Sequence, residues 1–318
     1  MRAPGRSLVL GATGLVGSAL VRRFVDDGWD VTASVRHASE ASWIASALDG
    51  ARVVTLAVAL DGDGIAAVVE DARPDVVVNC MSMNPTTTGG AALAYGNMNV
   101  TAVAVVLEAC VSASVDRVIV IGSGFEYAPS DHPLDERDAI GPTTLYGATK
   151  AAGTVIASYY QRGVAPEVCV ARPFSVYGPR ERLGRLVPSV ITAALSGGPI
   201  EMSAGTQVRD YLYVEDLAAG LAVLAAHDQD LPGAINFSGP EQHTLLELVS
   251  IAVEAAAPET EVRVGSRAEN PGDWPVFLGD SGRAERLLAW QPRHDLRSGI
   301  AQTVDWYRAN HEAWEALA

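Results

Sequence analysis

From Ser7 to about Arg172, short runs rich in Val and Ile alternate with stretches of helical periodicity, and few folds accept that order. Strands that read as near-continuous apolar runs are buried on both faces, and a helix between each pair makes neighbouring strands parallel. The strands read as Ser7–Leu10, Asp30–Val35, Ala51–Thr55, Asp75–Cys80, Arg117–Ile121 and Glu167–Ala171. Helices fall between them near Leu15–Asp27, Glu40–Leu48, Gly64–Ala72, Tyr95–Ser114 and Tyr146–Gln161. The fold class is therefore α/β, a doubly wound parallel sheet covered on both faces. After Pro173 the rhythm gives way to loops rich in Gly, Pro and Arg. A helix at Val187–Leu195, a strand at Arg209–Val214, a helix at Asp216–Ala226, a strand at Ile235–Phe237 and helices at Leu245–Ala256 and Leu296–Ala309 follow. This predicts a sheet domain over 1–172, and over 173–318 mainly a smaller lobe interleaved with the last strands of the sheet. A site between the two is expected.

Gly11, Thr13, Gly14, Leu15, Val16 and Gly17 follow the first strand and open a helix. Three glycines in that context let the backbone turn tightly and approach a phosphate, and the helix start offers free N–H groups with a partial positive charge. A dinucleotide site is the expectation. Its ribose would be read at the end of the second strand, where an acidic residue would accept hydrogen bonds from the adenosine ribose. Here the strand ends Val35-Arg36-His37 with no carboxylate. A guanidinium attracts a 2'-phosphate that a carboxylate would repel, so Arg36 favours NADP(H). NAD(H) stays open, with Arg36 facing water or stacking on adenine.

Tyr146 and Lys150 stand four residues apart on a helical stretch and point the same way. An ammonium beside a phenol favours the phenolate, so the Tyr146 pKa is expected to fall toward the working pH of a general acid or base. A further strand ends Ile121-Gly122-Ser123, where a hydroxyl emerges at a strand's carboxyl end. Downstream lies Arg209-Asp210-Tyr211-Leu212-Tyr213-Val214-Glu215-Asp216.

The glycine turn, Ser123, the Tyr146/Lys150 pair and the Arg209 run together resemble the extended short-chain dehydrogenase/reductase family, in its nucleotide-sugar epimerase, dehydratase and ketoreductase branch. The resemblance runs nearly end to end. It implies a Rossmann sheet with a smaller C-terminal substrate-binding lobe, and a catalytic group of Ser123, Tyr146 and Lys150. By the same resemblance Ser123 and Tyr146 hold the reacting oxygen, Lys150 also binds the nicotinamide ribose, and Pro173 lies at the cofactor. Ser175 stands where the family commonly has a sugar-nucleotide-binding asparagine, and Arg209 matches an arginine that pairs with the diphosphate. Arg180, with Arg182 and Arg185, either adds positive potential to the substrate site or forms a solvated basic loop. Asn99 either supports the active site or is an ordinary helix-face amide. The family's 4,6-dehydratases carry an Asp-Glu pair directly after the hydroxyl residue, where this chain has Gly124-Phe125. Glu126 comes one position late and in an extended segment would face away, which disfavours a dehydratase unless the loop is distorted.

Composition removes other classes. A formal net charge of -15 opposes nucleic-acid binding, which needs clustered Lys and Arg. Cys80, Cys110 and Cys169 sit in apolar runs without metal-site spacing, so buried free thiols in a reducing compartment are expected. The six histidines are dispersed, and no metal site is expected. The start lacks a signal-peptide core and no apolar run is read as a membrane span, so the expected location is cytoplasmic. The leading expectation is an NADPH-dependent 4-ketoreductase of a nucleotide-diphosphate keto-deoxysugar. A 4-epimerase with tightly held NAD uses the same residues, and a cofactor-binding sensor or pseudoenzyme is a reading from another class. A homodimer through the Tyr95–Ser114 and Tyr146–Gln161 helices is the expected assembly if those faces are not core.

Overall fold

The computed structural model describes residues 1–36, 45–56, 62–83, 91–161, 166–270 and 272–315. Strands β1 (Arg6–Leu10), β2 (Asp30–Val35), β3 (Arg52–Thr55), β4 (Val76–Asn79), β5 (Arg117–Ile121) and β6 (Glu167–Pro173) alternate with helices α1 (Leu15–Asp26), α2 (Ala45–Leu48), α3 (Gly62–Ala72), α4 (Ala91–Gly96), α5 (Ala102–Ser112) and α6 (Leu145–Tyr160). Then come β7 (Val176–Tyr177), α7 (Leu186–Leu195), β8 (Ile200–Met202), β9 (Val208–Arg209), β10 (Leu212–Tyr213), α8 (Val214–Ala226) and β11 (Ala234–Phe237). The chain closes with β12 (His243–Thr244), α9 (Leu245–Ala256), β13 (Val262–Val264), β14 (Val276–Phe277), α10 (Gly282–Leu288), α11 (Leu296–Ala309) and α12 (His311–Glu315). The part of the expected Glu40–Leu48 helix before Ala45 lies outside the described residues.

Seven strands form one parallel sheet in the order β11-β6-β5-β4-β1-β2-β3. Its two-residue period sorts side chains between two cores. Val9, Val76, Val78, Ile119 and Ile121 join α1, α8 and α10 on one face. Leu8, Leu10, Val77, Val118 and Val120 join α3, α5 and α6 on the other. Each such side chain contributes about 1.5–3 kcal/mol by leaving water, so the sheet is held from both sides. Strand order reverses between β1 and β4, and a crevice at the carboxyl ends there is where ligands of such sheets bind. A third core gathers α7, α9, α11 and β8 into a lobe beside that end. Arg117, with no exposure, ties two adjacent strands to the end of α8: on β5 it pairs with Glu167 of β6 and donates to the carbonyls of Leu224, Ala225 and His227.

Three expectations change. The strand read over Arg209–Val214 is two short strands: β9 pairs with β12 and β14, whereas β10 pairs with β7. Asp210 breaks the run by turning its carboxylate inward to accept from Gly279 N–H at 2.5 Å. The helix read from Tyr95 begins at Ala91 and contains a π-helical turn at Asn97–Thr101 before α5. Finally, Ala92–Ser112 is 21 residues of mean hydropathy 1.3, long and apolar enough to cross a membrane by length and composition alone. Val103, Val106, Leu107 and Cys110 on it pack against the sheet, which makes it a core helix.

Candidate active site

The turn after β1 meets the test of a phosphate cradle. Gly11 has φ +78, in the left-handed region, and a Cβ there would press on Met81 N at 2.9 Å. A Cβ on Gly17 would collide with the Gly11 carbonyl oxygen, so only glycine lets α1 start this close to the turn. Gly14 caps α1 with no side-chain hydrogen bond and no acidic residue in the first turn, leaving its opening N–H groups for an anion. Gly11 N–H donates to Ser34 Oγ at 3.2 Å, fixing the turn to β2. A cleft of about 410 Å³ runs from here, lined by Gly11, Thr13, Gly14, Leu15, Val16 and Gly17, past Arg36, to Ser123, Tyr146, Lys150, Pro173 and Ser175. These residues suit a dinucleotide.

At the other end of the cleft, β5 delivers Ser123 and α6 delivers Tyr146 and Lys150. Thr144 caps α6 by accepting from Gly147 N–H at 3.0 Å. A Cβ on Gly147 would collide with the Phe125 carbonyl oxygen, so the glycine is what seats this helix against the loop carrying Ser123. Lys150 Nζ lies 5.9 Å from the centre of the Tyr146 ring and donates to the Ile121 carbonyl at 2.8 Å. Burial pushes the Lys150 ammonium down to about 8, against the opposing pull of Glu126. The expectation of a lowered Tyr146 pKa is overturned: burial raises it, outweighing the Ser123 and Ser82 hydroxyls and Arg185, which draw it down. Water is a better host for a phenolate than this wall of Phe125 and Tyr95 rings, 6.2 and 6.4 Å from Tyr146.

Glu126 is not in an extended segment. Gly124–Glu126 form a 3₁₀ turn capped by Ser123, whose Oγ accepts from Phe125 N–H at 3.2 Å. The turn sends the Glu126 carboxylate into the protein, where Ser123 N–H (2.9 Å), Thr154 Oγ1 (2.8 Å) and Arg172 Nε (2.8 Å) satisfy it. It does not line the cleft. Asn99 is buried and active as a brace: its Oδ1 accepts from Met83 N–H at 3.1 Å and its Nδ2 donates to Thr149 Oγ1 at 2.9 Å on α6. The π-helical turn around Asn99 is a common device where a helix must aim one side chain at a site.

On the substrate side the arginines separate. Arg182 and Arg185 line the cleft. Arg180 does not: buried at 3% exposure, it pairs with Glu215 at 3.0 Å and meets Ser18 Oγ at 3.4 Å, which corrects its expected substrate role. Its backbone is in the left-handed region at φ +66, which turns its side chain under the loop and sends the next residue, Glu181, to the cleft. Arg209 also lies outside the cleft lining, its guanidinium 5.9 Å from the centre of the Phe277 ring and bonded to the Val208 carbonyl at 2.8 Å. The Phe277 ring it approaches is itself part of the cleft lining. Ser175 lines the cleft with φ +28, a conformation asparagine tolerates better than serine. Cys80, expected to be buried, is half-buried at the cleft, its thiol held protonated by a pKa pushed up to about 12.

Two site residues escape sequence reasoning. Ser82 is exposed in the cleft three residues beyond β4, and only its place at a strand's carboxyl end could have flagged it. Glu181 is a buried acid whose Oε2 has no hydrogen-bond partner among the described residues, with its pKa raised by burial to about 7. In the sequence nothing sets it apart from the arginines around it.

A doubly wound sheet whose glycine turn opens toward a tyrosine and a lysine on one helix defines an extended short-chain dehydrogenase/reductase architecture. Residues 7–237 match the NAD dependent epimerase/dehydratase family, and the chain belongs to that family. A dTDP-glucose 4,6-dehydratase of Streptomyces antibioticus is 29% identical over 222 residues, 69% of this chain and 65% of that protein. The dTDP-glucose 4,6-dehydratase 1 of Escherichia coli (strain K12) is 26% identical over 337 residues, 95% of this chain and 92% of that protein. The chain spans 34% to 65% of the length of the first of its curated relatives. The solved structure of MoeE5 in complex with UDP-glucuronic acid and NAD is 28% identical, with a TM-score of 0.84 and coverage of 96% of this chain and 99% of that one.

Proposed function

We propose that this chain is an NAD(P)-dependent oxidoreductase of a nucleotide-diphosphate sugar, working in the cytoplasm as a 4-ketoreductase of a keto-deoxysugar. The observation that carries the reading is the meeting of Ser123, Tyr146 and Lys150 in one cleft with the glycine turn, while the nearest carboxylate in sequence, Glu126, is turned away. Neither Gly124 nor Phe125 can move a proton at a neighbouring carbon, which a dehydratase requires. A phenol whose pKa is raised stays protonated at neutral pH, the state a ketone reduction needs in its acid. Tyr146 gives that proton to the carbonyl oxygen. Ser123 donates a hydrogen bond to the same oxygen, since its Oγ already accepts from Phe125 N–H and its own proton is left for the cleft. Lys150 offsets the phenolate charge that follows. Gly11 to Gly17 would hold the pyrophosphate of the cofactor and Pro173 would border it; when bound, a reduced nicotinamide supplies hydride to the carbonyl carbon. Arg182 and Arg185 supply positive charge for the substrate's diphosphate, and Ser175 a donor toward the sugar.

Arg36 at the cleft rim favours NADP(H). A 4-epimerase using NAD is the second reading, supported by the NAD bound to MoeE5 and by the family itself. Mixing the protein with NADPH or NADH and a nucleotide 4-keto-6-deoxysugar separates these. The ketoreductase reading expects loss of reduced-nicotinamide absorbance, faster with NADPH. Interconversion of two nucleotide sugars without net cofactor consumption supports the epimerase, and inertness in both assays with cofactor still bound supports a sensor.

A further inference from the structure

Tyr146, Lys150 and Thr154 fall four residues apart along α6, so all three lie on one stripe of the helix. Two of them grip β5 and the turn that follows it. Lys150 Nζ donates to the Ile121 carbonyl at 2.8 Å, and one helical turn further on Thr154 Oγ1 donates to Glu126 Oε2 at 2.8 Å. A single contact lets a helix roll about it, whereas two along one stripe set both its roll and its slide. The Glu126 carboxylate carries the second contact and two others. Its Oε1 accepts from Ser123 N–H at 2.9 Å, and its Oε2 also accepts from Arg172 Nε at 2.8 Å. A Cβ on Gly122 would collide with Glu126 Oε1, so the bare glycine lets the carboxylate lie against the chain between Ile121 and Ser123. Three segments therefore meet on one group that has no exposure: the turn bearing Ser123, the helix bearing Tyr146 and Lys150, and the strand that runs into Pro173 and on to Ser175.

We infer that Glu126 is a positioning residue of the reaction, whose buried carboxylate holds the Ser123 hydroxyl in register with the Tyr146 phenol. The inference rests on the reading of Ser123 and Tyr146 as the two groups that share one carbonyl oxygen. Glu126 moves no proton and reaches no substrate; it acts by geometry. A carboxylate is the group this joint requires, because it faces three donors and has none to offer. Glutamine would point its amide N–H groups at Ser123 N–H or, turned over, at Arg172 Nε, and either way one donor would face another. It would also leave the Arg172 guanidinium buried without its partner charge. Misplacing one of two groups that must converge on a single atom by about 1 Å can cost about a hundredfold in rate, while binding contacts elsewhere in the cleft are untouched.

The test separates register from stability. Thr154→Val removes the tie between carboxylate and helix but leaves the Arg172 pair intact, so this variant is expected to fold. With NADPH and a nucleotide 4-keto-6-deoxysugar its kcat should fall about three- to tenfold, with KM and NADPH affinity nearly unchanged, and Thr154→Ser should keep the parental rate. Glu126→Gln should lose more than Thr154→Val, measured on the folded fraction. Tyr127→Phe serves as the control. It removes a hydroxyl that accepts from Arg172 and donates to Asn236, each at 2.8 Å, and so cuts the same buried network on the far side of Arg172. That variant should melt at a lower temperature while its kcat holds. A Thr154→Val kcat equal to the parent's overturns the inference, and so does an equal fall in Tyr127→Phe or in Thr154→Ser. Amide hydrogen exchange reads the same joint without substrate: exchange at Ser123 N–H should quicken about fivefold in Thr154→Val, the scale of one hydrogen bond, and stay parental in Thr154→Ser. An unchanged rate in Thr154→Val counts against the inference. A parent inert toward nucleotide sugars, with Ser123 exchange still following the Thr154 series, would defeat the ketoreductase reading and leave the joint at Glu126 standing.

Discussion

Tyr146 and Glu181 show how burial sets the protonation of single residues in this cleft. Both have raised pKa values, so both hold protons that the unfolded chain would release more readily. For Glu181 the folded value is about 7 against an ordinary 4.5. Its contribution to stability is therefore complete below the unfolded value and is lost as pH rises through about 7. Glu181→Gln does not titrate, and it should be more stable than the parent at pH 8 by up to about 3 kcal/mol, with the gain vanishing near pH 4. Denaturant melts of both proteins at the two pH values check this; a variant that is less stable at pH 8 would show that the carboxylate is well partnered. Ser123, Tyr146 and Lys150 could be found from the chain because spacing on one helix and a strand's end dictate where they point. Ser82 and Glu181 could not, since a hydroxyl or carboxyl in a loop has no period. The arginines show the same limit. Arg180, Arg182 and Arg185 read alike in sequence, and only the left-handed backbone at Arg180 decides that it faces inward while the other two face the cleft.

At the level of elements, the site depends on how closely α6 starts against the β5 loop. Gly147→Ala should force the two apart at the Phe125 carbonyl, costing about 1–3 kcal/mol by overpacking. Since the displaced helix carries Tyr146 and Lys150, turnover should fall by more than the loss of folded protein explains. Thermal melts beside specific activity of the folded fraction measure this, and normal activity in a normally folded variant would contradict it. The strands of the main sheet were legible because a Val- and Ile-rich run between helical stretches has one comfortable home, buried on both faces. The Arg209–Val214 run misled for the opposite reason. It alternates well enough to look continuous, but Asp210 is claimed by the Gly279 amide, a partner 69 residues away that no local pattern announces. The π-helical turn at Asn97–Thr101 was equally invisible, because its apolar spacing passes for that of an ordinary helix.

For the whole molecule, sheet and lobe meet at the point where strand order reverses, and an acidic chain of formal net charge -15 brings Arg36, Arg182 and Arg185 to the cleft between them. The outer face of α6, one of the two helices expected to join two copies, exposes Val155 (66%) and Tyr159 (73%). If that face joins them, Val155→Glu with Tyr159→Glu should turn a dimer of about twice the 33.3 kDa chain mass into a monomer in light scattering. A parent that is already monomeric would remove that assembly and leave the catalytic account untouched. That account is tested most directly by one comparison: the rate of NADPH oxidation with a nucleotide 4-keto-6-deoxysugar for the parent and for Tyr146→Phe, with NADPH affinity measured on both. Loss of about a hundredfold or more in rate with affinity unchanged is the predicted result. A phenylalanine variant that oxidises NADPH at a rate near that of the parent would contradict it.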